Sequence, residues 1–179
     1  QIKKIKKKNI KLTISIDLVA ASGGYLMAIV GNQIIASKFA IIGYIGVIGQ
    51  IPNFNKLLTK CSIEMEQHTS GQYKKNLTIF GKNTENDRIK FKEILERTHD
   101  LFNNFIINHR PNINIENVST GEYWYADEAL KLNLIDKIQT SDEYIIENLE
   151  KKNIYEIKIK SQNIFKNAIS IIKNKIYNI

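Results

Sequence analysis

The stretch from Leu12 to Val30, L-T-I-S-I-D-L-V-A-A-S-G-G-Y-L-M-A-I-V, decides the fold class. From Leu12 to Asp17 apolar and polar side chains alternate, the period of a β-strand. The small residues Ala20 and Ala21 then permit a tight turn, Gly23 and Gly24 leave room beside the backbone, and Tyr25 to Val30 continues as an apolar segment of helical character. A strand runs into a turn and a helix, with Ser22 at the turn.

Working outward, Gln33 to Ser37 and Ala40 to Ile51 read as short buried strands separated by glycines, and Asn53 to Cys61 as an amphipathic helix before a strand at Glu64 to His68. Thr84 followed by Asp87 forms a capping box that opens a long helix reaching about Asn108, with Pro111 just beyond its end. Ile89, Leu95, Phe102 and Phe105 give that helix an apolar stripe. Gly121 to Ile138 supplies a turn, a short helix around Asp127 to Leu132 and a strand at Leu134 to Ile138; a helix over Asp142 to Lys151 follows. Tyr155 to Lys160 alternates as an exposed edge strand, and residues 161–179 form a basic amphipathic helix suited to a core or a membrane surface. Strands alternate with helices, which points to an α/β fold.

The 179 residues, 43% of them hydrophobic, bury one sizeable core, so a single domain over 1–179 is expected. The net charge of +8 favours an anionic partner, but much of the excess lies in Lys3 to Lys11 and Lys151 to Lys175. Abundant Ile, Lys and Asn also reflect the base composition of the coding DNA, which leaves weak nonspecific attraction and no specific nucleic acid. Cys61, the one cysteine, has no partner for an internal disulfide and supplies no cysteine cluster for a metal. No apolar run reaches the roughly 18 residues that a membrane span requires. The first residues, Q-I-K-K-I-K-K-K-N without a leading Met, read as the tail of a helix in a chain lacking its natural beginning.

A serine hydroxyl becomes a nucleophile when a base removes its proton and nearby N–H groups stabilise the oxyanion it creates. Ser22 is placed for both, with Gly23 and Gly24 leaving N–H groups at a helix start. The plainer alternative is that Ser22 caps the helix and the glycines serve turn geometry. A phosphate cradle lacks the required glycine spacing. His68, His99 and His109 offer no evident base and read as surface or structural residues. A buried lysine could serve instead, because desolvation disfavours its ammonium form, but with 26 Lys and Arg in the chain spacing alone does not choose one. Tyr25, Met27, Val47 and Ile48 are candidate pocket walls.

Four blocks, D-L-V-A-A-S-G-G-Y from Asp17, F-A-I-I-G-Y-I-G-V-I-G-Q-I-P-N-F-N from Phe39, H-T-S-G-Q-Y-K-K-N-L-T from His68 and G-E-Y-W-Y-A-D-E-A-L-K-L-N-L-I-D-K-I from Gly121, resemble successive blocks of the signal peptide peptidase A family, in its SohB-like branch. Together they cover roughly residues 10 to 145, in order. The resemblance implies a ClpP/crotonase-like α/β fold of repeated strand-strand-helix units and a serine endopeptidase acting on signal peptides or other unfolded apolar polypeptides. Ser22 would be the nucleophile, Lys74 the general base with Lys75 as fallback, and Gly23 N–H an oxyanion donor; no metal or organic cofactor is implied.

Family members place a serine that helps to hold the lysine where this chain has Tyr44, which implies reduced or altered activity and makes Tyr44 the candidate for dyad support. They also carry an upstream S-P-G-G loop and an N-terminal membrane anchor, both absent from these residues. Membrane association through that anchor, homo-oligomeric assembly and a bacterial inner membrane location with the catalytic domain on the periplasmic side follow from the resemblance. The alternatives are a catalytically inactive peptide-binding or assembly protein on the same fold, and a crotonase-fold enzyme acting on acyl thioesters.

Overall fold

The computed structural model describes residues 4, 8–71 and 76–157. The chain forms two compact units, residues 1–144 and 145–179. The first contains β1 (Thr13–Ile16), β2 (Val19–Ala21), α1 (Gly23–Ala28), β3 (Gln33–Ala36), β4 (Ile41–Gly43), α2 (Asn55–Lys60), α3 (Glu85–His109), α4 (Ile115–Val118), β5 (Tyr123–Trp124), α5 (Ala126–Lys131) and β6 (Lys137–Ile138). Helix α6, Ser141–Leu149, starts in this unit and ends in the second, where residues 150–157 follow without regular structure.

The strands divide between two three-stranded sheets, ordered β1-β3-β6 and β2-β4-β5. β1 lies parallel to β3, with Thr13 opposite Gln33 and Ile16 opposite Ala36, and β3 parallel to β6. In the second sheet Val19 and Ala21 of β2 face Ile41 and Gly43 of parallel β4, while β5 runs antiparallel with Tyr123 opposite Gly43. Thus β1, β2 and α1 make one strand-strand-helix unit, and β3 and β4 repeat its strands, each laid parallel beside its predecessor. This is the α/β, ClpP/crotonase-like arrangement expected from the sequence.

The core explains why these segments fold as they do. Ile16, Ala20, Tyr25, Ile29, Ile34, Ile42 and Ile45 pack with Phe102, Ile106, Val118, Ala126 and Leu134. Each large apolar side chain fully buried there contributes roughly 1.5–3 kcal/mol. The phenol of Tyr25 is buried with its ring and donates to the carbonyl oxygen of Leu134 at 2.9 Å, so burial holds it protonated well above the ordinary range. Helix α3 opens at the expected capping box: Thr84 Oγ1 accepts from Asp87 N–H and Asp87 Oδ2 accepts from Thr84 N–H. Its inward stripe is Phe102 and Ile106 with Phe105 half-buried, whereas Ile89 is exposed.

Several elements depart from the sequence reading. Glu64 to His68 forms no strand; its alternation has no covering layer, and Met65 is 52% exposed. Regular strand structure in Ala40 to Ile51 is limited to β4, and in Leu134 to Ile138 to β6, because Leu134 N–H donates to Ala129 O in the turn that closes α5. β2, α4 and β5 were not separated in the sequence, being four residues long or less. Residues 155–157 of the expected edge strand are irregular; 158–160 and the expected helix 161–179 lie outside the described residues.

Candidate active site

Ser22 stands between the end of β2 and the start of α1. Its N–H donates to Gly43 O at 2.8 Å, and its carbonyl accepts from Leu26 N–H at 3.1 Å, the first bond of the helix. Pinned at both ends, the residue takes φ 49° and ψ −118°, a conformation that costs a non-glycine residue of order 1–3 kcal/mol. Its hydroxyl makes no capping bond and the residue is exposed, which rejects the capping reading.

The neighbouring glycines do not serve turn geometry either. Neither Gly23 nor Gly24 is at positive φ, and a Cβ on either would meet nothing within 4 Å among the described residues. Among the described residues the space beside both Cα atoms is open. Gly23 N–H, at the first position of α1, has no partner within the helix.

Ser22 lines a cleft of about 430 Å³ with Ala21, Tyr44, Gly46, Val47, Ile48 and Gly121. The opposite wall is the irregular segment after β4, which glycines hold close to its supports. A Cβ on Gly46 would come within 3.1 Å of Gly121 Cα, and one on Gly49 within 2.6 Å of the Phe91 ring, while Gly121 N–H donates to Ile45 O at 2.9 Å. Of the candidate walls, Val47 and Ile48 are here; Tyr25 belongs to the core and Met27 lines a separate surface beside β1 and β2.

Tyr44 sits at φ 50°, its N–H donating to Glu122 O at 2.7 Å. Its ring stacks on Tyr123 with centroids 5.3 Å apart, and Tyr123 meets Tyr125 edge-on at 5.8 Å. The structure therefore brings Ser22, Gly23 and Tyr44 to one place. Lys74 and Lys75 fall in residues 72–75, outside the described residues. The segment just beyond them is anchored: Phe54 N–H donates to Ile79 O at 2.7 Å, and Asn53 Nδ2 to Thr78 O and Gly81 O at 2.8 and 3.0 Å.

The histidines are structural or exposed as expected. His99 Nε2 lies 2.5 Å from Ser119 Oγ, His109 Nδ1 lies 2.8 Å from Phe105 O, and His68 is exposed beside Glu66. Among the described residues no group of three or more His, Cys, Asp or Glu could hold a metal, and no helix is long and apolar enough to cross a membrane. Gly121, Tyr123 and Tyr125 were not singled out from the sequence as site residues. The alternation of Tyr123, Trp124 and Tyr125 was the available signal, since the side chain between the two tyrosines turns inward as strand geometry requires.

Residues 4–155 match peptidase family S49. The chain belongs to that family. It is 56% identical over 146 residues to a probable protease SohB of Buchnera aphidicola subsp. Schlechtendalia chinensis, covering 82% of this chain and 48% of that protein. With a probable protease SohB of Haemophilus influenzae it shares 43% identity over 160 residues, 89% of this chain and 45% of the relative. The S49 chain thus spans about half the length of the curated relatives it matches. A solved structure of a membrane-bound stomatin-specific protease with a substrate peptide aligns at a TM-score of 0.46 and 14% identity, covering 97% of this chain and 74% of that one.

Proposed function

We propose that this S49 chain carries the catalytic residues of a SohB-type serine endopeptidase that cleaves signal peptides or other unfolded apolar polypeptides with a Ser22/Lys74 dyad. The observation that carries the reading is Ser22 itself: exposed, held at positive φ, its hydroxyl free of the capping bond, opening into an apolar cleft. A strained, outward-facing serine at a strand-to-helix turn is the geometry that nucleophilic serines use on unrelated α/β folds.

The neutral Lys74 amine takes the Ser22 proton as Oγ bonds to the scissile carbonyl carbon. The carbonyl oxygen becomes an oxyanion that Gly23 N–H stabilises. The Lys74 ammonium then protonates the leaving nitrogen as the C–N bond breaks, giving an acyl-serine and a free amine. Water, deprotonated by Lys74, attacks the acyl carbon and releases the carboxyl product and Ser22. The apolar walls of Ala21, Val47 and Ile48 suit an apolar side chain beside the scissile bond, and no step needs a metal or organic cofactor. Homo-oligomeric assembly, membrane attachment outside residues 1–179 and catalysis on the periplasmic side of a bacterial inner membrane complete the proposal.

The test is cleavage of an unfolded apolar polypeptide by the product of the complete open reading frame, with Ser22→Ala and Lys74→Ala beside it. A fall of roughly 10³-fold or more in both variants supports the dyad. Turnover that survives both sinks it. Tyr44 motivates a second reading, an inactive peptide-binding protein, because its ring stands in the cleft wall beside Ser22 where the family places a small serine. Peptide binding without turnover by the wild type would favour that reading.

A further inference from the structure

The outer face of the β2-β4-β5 sheet is apolar and uncovered among the described residues, and it leads away from Ser22. Gly43 and Tyr123 are paired across β4 and β5, which sets Tyr44 beside Tyr123, and the rings of Tyr44, Tyr123 and Tyr125 form a continuous ladder. Tyr44 ends this ladder in the Ser22 cleft. Tyr125 ends it in a second, larger hollow of about 710 Å³, lined by Lys38, Phe39, Ile41, Tyr125, Asp127 and Glu128. Phe39 is 79% exposed there among the described residues, an unusual position for a phenylalanine.

We propose that the Tyr44-Tyr123-Tyr125 ladder and the Phe39 hollow are an extended substrate subsite, which binds apolar side chains of the polypeptide several residues from the scissile bond and a basic residue at its far end. This rests on the peptidase reading above and adds a specificity surface to it. The ladder advances in steps of 5.3 and 5.8 Å, whereas side chains on one face of an extended peptide recur every ~7 Å, so the ladder and hollow accommodate two or three alternate side chains. Tyrosine rings offer apolar area at small entropic cost, which suits a surface receiving varied apolar sequences. At the far rim the carboxylates of Asp127 and Glu128 outnumber the ammonium of Lys38, in a chain of net charge +8. A locally acidic rim on a basic protein favours a cationic side chain.

The experiment uses three peptides around one apolar scissile core. One is long enough to fill only the Ser22 cleft; the other two are extended by four residues to either side, with Phe at alternate added positions and a terminal Lys. Binding to the Ser22→Ala protein is read by fluorescence anisotropy and cleavage by the wild type as kcat/KM. One extended peptide should bind about tenfold more tightly than the short one. Tyr125→Ala and Phe39→Ala should bring it down to the level of the short peptide, while Tyr125→Phe retains the gain. Exchange of the terminal Lys for Glu should cost several-fold, and less in Asp127→Asn. Unchanged melting temperatures establish that the variants fold. The proposal is overturned if neither extended peptide binds more tightly, or if the gain survives both alanine variants. Ser22-dependent cleavage indifferent to the ladder would reject this subsite and leave the peptidase reading standing; ladder-dependent binding without cleavage would do the reverse.

Discussion

The N–H of Ser22 donates to the carbonyl oxygen of Gly43 at 2.8 Å, joining two residues that both lie at positive φ. The bond fixes the nucleophile candidate to the parallel neighbour of its own strand, and Gly43 is tightly placed: at φ 115° an added Cβ would come within 2.8 Å of the Trp124 ring. Gly43→Ala should therefore combine backbone strain with overpacking, a loss of about 2–4 kcal/mol. Urea denaturation would check it, and a variant as stable as the wild type would show that the Trp124 ring yields freely.

Ser22 stores strain of its own. Glycine tolerates φ 49°, ψ −118° without a Cβ penalty, so Ser22→Gly should raise stability relative to Ser22→Ala by about 1 kcal/mol, although both remove the hydroxyl on which the proposed cleavage depends. Equal melting temperatures for the two variants would mean that the turn is not strained in solution.

The contrast between Ser22 and the tyrosine ladder shows what was legible beforehand. Ser22 stood out because strand alternation and a helical apolar run met at it within a few residues, and Thr84 with Asp87 marked the start of α3 because a capping box is local. The ladder was hidden, since Tyr44 and Tyr123 are brought together only by the pairing of Gly43 with Tyr123 across distant segments. Glu64 to His68 misled for the opposite reason: its local alternation had no sheet to join. Lys74 was chosen by resemblance, because one lysine among many carries no pattern of its own.

Helix α1 is joined to the chain's later half by core packing and by a buried hydrogen bond, from the Tyr25 phenol to Leu134 O at 2.9 Å. Tyr25→Phe keeps the ring and leaves that carbonyl without its donor, which should cost about 1–3 kcal/mol. Because α1 starts beside Ser22, kcat should fall with it even at temperatures where the variant is fully folded. Unchanged stability would mean that water replaces the phenol.

Asp17 gives the fold a defined response to acid. Its carboxyl is held below its usual 3.8 by the Ser141 hydroxyl and then by the Ser141 N–H donating to Oδ1 at 2.9 Å; burial opposes them, and the Ser15 hydroxyl adds the smallest lowering. These donors favour the ionised form, so the native state binds the proton more weakly than the unfolded chain does. The stabilisation is therefore complete above the unfolded value and disappears as pH falls through the lower native one. Asp17→Asn keeps an acceptor for the N–H but removes the charge. Its stability deficit relative to wild type should be constant above about pH 5, narrow below about pH 4 and shrink towards zero in stronger acid. Urea midpoints of both proteins between about pH 2 and 6 would measure this, and a deficit that stays constant throughout would show that the Asp17 charge has no part in holding Ser141.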